Sequence, residues 1–127
     1  MTVVLDTSAL IYWTLDPDQL STPARATLAE TDRFVISSIS IWEIGLKMSK
    51  GQLALPLSIK NYAEQLLQVQ GVEVMPVDTE TWLANLALAW DHRDPADRTI
   101  VATAMLLNVP LLTSDQTIRQ FYPQAIW

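Results

Sequence analysis

Short, largely apolar runs recur along this chain, and each gives way to a stretch of helical character. Val3-Val4-Leu5, Phe34-Val35-Ile36, Val72 to Val77 and Val109 to Thr113 have the length and β-branched content of buried strands. A strand that is apolar on both faces must be covered on both. Strands alternating with helices are joined as parallel neighbours. The expected fold is therefore α/β: a three-layer α/β/α domain with a central, mainly parallel sheet.

The turn chemistry divides the rest. A helix is expected from about Ser8 to Leu15, followed by an Asp16-Pro17-Asp18 loop, and Ser21-Thr22-Pro23 opens a second helix. Ile39 to Lys50 reads as a helix closed by Gly51, and Ile59 to Val69 as another ended by Gly71. Asp78 and Thr79 can cap a helix running to about Trp90, and Asp94-Pro95 starts one that reaches Leu107. Ser114-Asp115 caps a short helix to Tyr122, and Ile126-Trp127 adds a last short strand. With 127 residues, half of them apolar, and no repeat or linker, one domain spanning 1–127 is expected.

Composition excludes whole classes of chemistry. There is no cysteine, so disulfides, thiolate metal sites and cysteine nucleophiles are out. The single histidine, His92, rules out a two-histidine metal motif and is assigned no catalytic role. Gly45, Gly51 and Gly71 are too far apart for a phosphate-cradling loop. The N-terminus lacks a basic segment followed by an apolar one, and no apolar run is long enough to span a membrane, so a cytoplasmic protein is expected. Carboxylates and hydroxyls remain. The net charge of −6 argues against nucleic-acid binding unless the acids are gathered round a cation.

In parallel sheets ligands bind beyond the carboxyl ends of the strands. Asp6 ends the first strand, Asp115 follows the strand ending at Thr113, Asp97 lies in the first turn of the helix opened by Pro95, and Glu43 sits among Ile41, Trp42 and Ile44. Asp97 shares a helix face with Ile100 and Val101, so it points to the packed side. Carboxylates ~5 Å apart repel by roughly 3 kcal/mol at an effective dielectric of 20. Convergence therefore requires protonation or a divalent ion, and Mg²⁺ or Mn²⁺ suits an all-oxygen site.

Each acid also has an ordinary reading. Asp6, Asp94 and Asp115 can cap the helices that follow them, Asp97 can complete a capping box, and Glu43 can pair with Lys47 one turn on. Thr7 and Thr113, with Ser8 and Ser114, can orient carboxylates or simply bond to backbone. Lys47, Lys50 and Arg98 are candidate phosphate contacts, or an ordinary solvated set. Trp82 and Trp90 would share a helical face, more in keeping with core or dimer interface than with a stacking platform.

Four segments in order, Val4-Leu5-Asp6-Thr7-Ser8-Ala9-Leu10, Ser40-Ile41-Trp42-Glu43-Ile44, His92-Arg93-Asp94-Pro95-Ala96-Asp97-Arg98 and Leu111-Leu112-Thr113-Ser114-Asp115, give the chain its resemblance to the PIN-domain family, specifically VapC-type toxins. The resemblance covers nearly the whole chain. It implies a metal-dependent endoribonuclease acting on RNA, with catalytic and metal-holding acids at Asp6, Glu43, Asp97 and Asp115, and Asp94 as an extra carboxylate nearby. It also implies a cognate VapB-like antitoxin and a toxin homodimer. The competing readings are a non-catalytic RNA- or protein-binding module of the same fold, and a phosphoryl-accepting domain using Asp6.

Overall fold

The computed structural model describes residues 1–127. In chain order the elements are β1 (Thr2–Leu5), α1 (Thr7–Leu15), a 3₁₀ turn (Pro17–Gln19), α2 (Thr22–Glu30), β2 (Arg33–Ser37), α3 (Ser38–Ser49) and α4 (Ile59–Leu66). There follow β3 (Val72–Met75), α5 (Thr79–Ala87), α6 (Pro95–Leu107), β4 (Leu111–Leu112), α7 (Gln116–Phe121) and β5 (Ala125–Ile126). The strands form one sheet in the order β3-β2-β1-β4-β5, every pair parallel. The expected three-layer arrangement is what the chain adopts.

Alternation along the strands sorts the core into two layers. Val3 and Leu5 of β1, Phe34 and Ile36 of β2, and Leu112 of β4 pack with Ala9, Leu10, Ala24, Leu28, Ile44 and Tyr62 from α1 to α4. Val4, Val35 and Leu111 face the other way, against Ile100, Val101 and Ala104 of α6 and Ile118 of α7. Strands buried on both faces are what the continuous apolar runs require. No helix is long and apolar enough to cross a membrane.

Several boundaries differ from the sequence reading, each for a local reason. β3 stops at Met75 because Pro76 has no N–H for the ladder. β4 is confined to Leu111–Leu112, since Pro110 precedes it and Asn108, at φ 53°, turns the chain out of α6 in a left-handed cap. β5 is Ala125–Ile126 rather than Ile126-Trp127. The α4 helix ends at Leu66, and Gly71 turns into β3 at φ +84°; a β-carbon there would stand 2.4 Å from the Asp32 carbonyl oxygen.

The order of the strands fixes where a site can form. From β1 the chain winds outward through β2 to β3, then returns to the opposite side of β1 as β4. The carboxyl ends of β1 and β4 thus flank the point where the winding reverses, the crevice that such sheets offer to ligands.

Candidate active site

Asp6 leaves the end of β1 directly into that crevice. Its backbone N–H donates to the Leu112 carbonyl at 3.0 Å, which ties it to β4. Its side chain caps α1, one oxygen accepting from the Ala9 N–H at 2.8 Å. The other oxygen accepts from the hydroxyl of Thr113, the residue that follows β4. The capping reading of Asp6 is therefore correct, and it coexists with a position at the switch point. Asp6 is only 4% exposed. Burial pushes its carboxyl from 3.8 up to about 6; the bonds from Thr113 and Ala9 oppose this, and the charges of Asp97 and Asp115 add to it.

Asp115 and Asp97 approach from two other elements. Asp115 caps α7 through the Ile118 N–H at 3.0 Å, and its own N–H donates to the Thr113 hydroxyl at 3.0 Å. One hydroxyl thus links two of the acids. Asp97, in the first turn of α6, is half-buried, and its Oδ2 lies 2.8 Å from Nε2 of His92. Burial raises the Asp97 carboxyl, the His92 bond lowers it, and the charges of Asp94 and Asp115 raise it further. Asp94 is exposed and caps α6, accepting from the N–H groups of Ala96 and Asp97 at 2.9 and 3.1 Å.

Glu43 is held differently. Ser40, one turn earlier on α3, bonds the Thr7 hydroxyl at 2.9 Å and so brings this side of α3 against the start of α1. The Glu43 side chain is 15% exposed, and Lys47 stands 3.9 Å away. Asp6, Asp97 and Asp115 are close enough to feel one another's charge, but no three acid or histidine side chains form a closed ligand set.

Three sequence readings are corrected here. Arg98 is not free for RNA phosphates. Its guanidinium donates to the carbonyls of Trp90 (2.7 Å), His92 (3.0 Å), Asn85 (2.7 Å) and Leu88 (3.4 Å), and to Asn85 Oδ1 (3.4 Å). All of its N–H donors are thereby engaged. These bonds draw residues 88–94 off the helical path, so α5 ends at Ala87 instead of reaching Trp90. Trp90 consequently shares no helix face with Trp82 and stacks on Phe121, with ring centroids 4.5 Å apart. His92, expected to be structural or exposed and given no catalytic role, is the hydrogen-bond partner of Asp97; the one signal for that contact in the sequence is that both lie within a single short segment beside Pro95. Lys47 and Lys50 remain exposed on α3 and its C-cap.

Known proteins resemble this one along its full length. The PIN domain family profile matches residues 3–122. Ribonuclease VapC22 of Mycobacterium tuberculosis is 28% identical over 130 residues, covering 99% of this chain and 98% of its own. A toxin–antitoxin complex from Klebsiella pneumoniae contains a chain that superposes with TM-score 0.67 at 19% identity, over 98% of this chain and 96% of that one. FitAcB from Neisseria gonorrhoeae gives 0.64 at 18%, over 97% and 94%. VapBC2 from Rickettsia felis, bound to a DNA fragment from their promoter, gives 0.63 at 16%, over 95% and 93%. With the winding reversal at β1 and β4, the acids at the strand ends and a family match over almost every residue, the chain belongs to the PIN-domain family.

Proposed function

We propose that this protein is a divalent-metal-dependent endoribonuclease, the toxin of a toxin–antitoxin pair. The observation that carries the reading is Asp6: a buried carboxylate pushed up to about 6 at the switch point, with two further carboxylates adding to the repulsion. Such a cluster is unfavourable at neutral pH without a positive charge. The ribonuclease relative supports RNA as the substrate, and the toxin–antitoxin neighbours support a protein antitoxin.

The donor set fits a hard cation. It is made of carboxylate oxygens, with no sulfur and one imidazole already bonded to Asp97. The open arrangement suits Mg²⁺ or Mn²⁺, since Mg²⁺ keeps several waters and takes only one or two carboxylates directly. Asp6, Asp97 and Asp115 would hold the ion, one or two of them directly and the rest through its waters, with Glu43 joining through water. When bound, the ion would supply an acidified water and offset charge on the phosphodiester. The protein's own part is positioning. Ala9 and Thr113 fix the orientation of Asp6, Ile118 fixes Asp115, and His92 fixes Asp97. Lys47 and Lys50 are proposed to meet RNA phosphates, with Thr7 and Asp94 in supporting positions.

The homodimer is proposed to form on α5 and α6. Leu83 and Leu86 are 61% and 77% exposed, Met105 and Leu106 are 48% and 44% exposed, and an all-apolar groove of about 490 Å³ lies beside them. Protruding leucines next to a groove floored by Ala84, Ala87 and Ala102 make a self-complementary surface for a two-fold pair.

The test is cleavage of defined RNAs with Mg²⁺ or Mn²⁺, with EDTA, and with Asp6→Asn. Metal-stimulated cleavage that the substitution abolishes is expected; unchanged cleavage by a folded Asp6→Asn protein would overturn the assignment.

A further inference from the structure

We propose that the cleft between Trp42 and Trp82 is a stacking site for an unpaired base of the RNA substrate, an inference that rests on the ribonuclease reading. The cleft has a volume of about 360 Å³ and is lined by Ser38, Ile39, Trp42, Val77, Trp82 and Pro95. Every one of these residues sits at the carboxyl edge of the sheet or on a helix rising from it. Ser38 opens α3 directly after β2, Val77 follows β3, and Pro95 opens α6 between Asp94 and Asp97. Trp42 adjoins Glu43 in the chain. The cleft therefore lies over β2 and β3 on the same edge as the carboxylates over β1 and β4.

The tryptophans fall into two groups. Trp13 stacks on Phe34, Trp90 stacks on Phe121, and Trp127 lies against Tyr12, with centroids 4.6, 4.5 and 6.1 Å apart. Trp42 and Trp82 are 57% and 44% exposed, have no aromatic partner, and line one cleft. Flat apolar rings left open to solvent are the surface on which single-stranded nucleic acids stack their bases, independently of sequence.

Charge gives the reason such a surface is needed here. Fourteen acids face eight basic residues. Arg25, Arg33, Lys47 and Lys60 stand within 4 Å of carboxylates, and Arg98 is consumed by carbonyls. Lys50, Arg93 and Arg119 make no ion pair, and Lys47 meets phosphate only by leaving Glu43, too few to hold a polyanion by its phosphates alone. A base in the cleft supplies affinity that does not depend on cations. A second copy is the less favoured occupant. Trp82 stands about 200° from Ala84 around α5, away from the alanine groove, but Leu86 of the proposed dimer surface lies one turn on from it, so sedimentation decides between a base and a second copy.

The experiment measures binding of a short unstructured RNA, and of the same backbone carrying abasic riboses, in an Asp6→Asn background with Mg²⁺. Trp42→Ala, Trp82→Ala and the corresponding Phe variants are compared by fluorescence anisotropy, with sedimentation of each. Cleavage is followed in parallel with Asp6 intact. The proposal expects each Ala substitution to weaken binding about five- to a hundredfold, with Phe restoring most of it. Abasic RNA should bind weakly to the parent and be insensitive to either substitution. Raising salt from 50 to 200 mM should weaken the parent by at most about fiftyfold, against about three-hundredfold for a protein making six phosphate contacts to a single strand. Equal binding by the Ala variants, equal binding of intact and abasic RNA, or a change of oligomeric mass on substitution would each overturn the proposal, the last by making a second copy the occupant. In the first two cases, continued cleavage by the parent leaves the ribonuclease reading standing. A parent that neither binds nor cleaves RNA would remove both.

Discussion

Asp6→Asn separates a carboxylate kept for a metal from one that only caps a helix. The Asp6 carboxyl is raised from 3.8 to about 6, so the folded state holds its proton more tightly than the unfolded chain. Stability associated with the protonated form is full below the unfolded value and is lost as pH rises through about 6. At neutral pH and without metal the ionised group then costs about 3 kcal/mol. Asparagine keeps an acceptor for the Ala9 N–H, which preserves the cap. That cost already includes the Thr113 bond to the ionised group; what asparagine gives up relative to the protonated acid is the neutral bond, about 1 kcal/mol. The net expectation in EDTA at pH 7.5 is a stabilisation of about 2 kcal/mol, or a Tm higher by about 5–10 °C for a chain of this size. The gain should shrink to zero or reverse near pH 4, where the wild-type carboxyl is already protonated. Mg²⁺ at ten times its Kd should restore about 1.4 kcal/mol to the wild type, and less to the variant. Differential scanning fluorimetry across pH, with and without Mg²⁺, reads all three. An Asp6→Asn protein that is less stable than wild type by the same amount at every pH would refute the reasoning and leave Asp6 as a cap alone.

Arg98→Ala should cost about 2–4 kcal/mol in urea unfolding, because it leaves the Trp90 and His92 carbonyls without their donor and the Asn85 carbonyl with only the Leu88 N–H; Arg98→Lys should recover little, since an ammonium cannot span the same fork. Thr113→Val should leave the fold intact yet lower metal-stimulated cleavage by about tenfold or more, because the hydroxyl orients Asp6 and accepts from the Asp115 N–H; unaltered cleavage would show that the linkage is not used. Gly71→Ala should destabilise by more than about 1 kcal/mol, measured by thermal unfolding, since the new β-carbon meets the Asp32 carbonyl at a positive φ.

How far the sequence could be read follows from the range of the interactions. β1 and β2 were legible because β-branched apolar runs bounded by turn residues are local signals, and their parallel pairing followed from the helices between them. Asp6 and Asp115 were legible as edge residues because the carboxyl-end rule needs only the strand order of the chain. Their second role as caps did not compete with the first, since a cap uses one carboxylate oxygen and leaves the other for a neighbour. Arg98 could not be read correctly. A guanidinium satisfied by one carbonyl near the end of α5 and three of the irregular connector after it leaves no periodic trace, and the same bonds ended α5 before Trp90. The His92–Asp97 contact was hidden for a related reason, since a loop residue's reach onto the following helix depends on how that loop is pinned. Glu43 was legible as a buried acid by its apolar neighbours, while its alignment with α1 came only from the Ser40–Thr7 bond.

The central claim is that Asp6, Asp97 and Asp115 share one divalent ion. Anomalous diffraction from crystals soaked in Mn²⁺ tests it most directly. A peak bounded by oxygens of these three residues, and lost in Asp6→Asn crystals, is the result expected. Crystals grown at neutral pH with no peak at the β1–β4 crevice, or with Mn²⁺ bound only elsewhere, would contradict it.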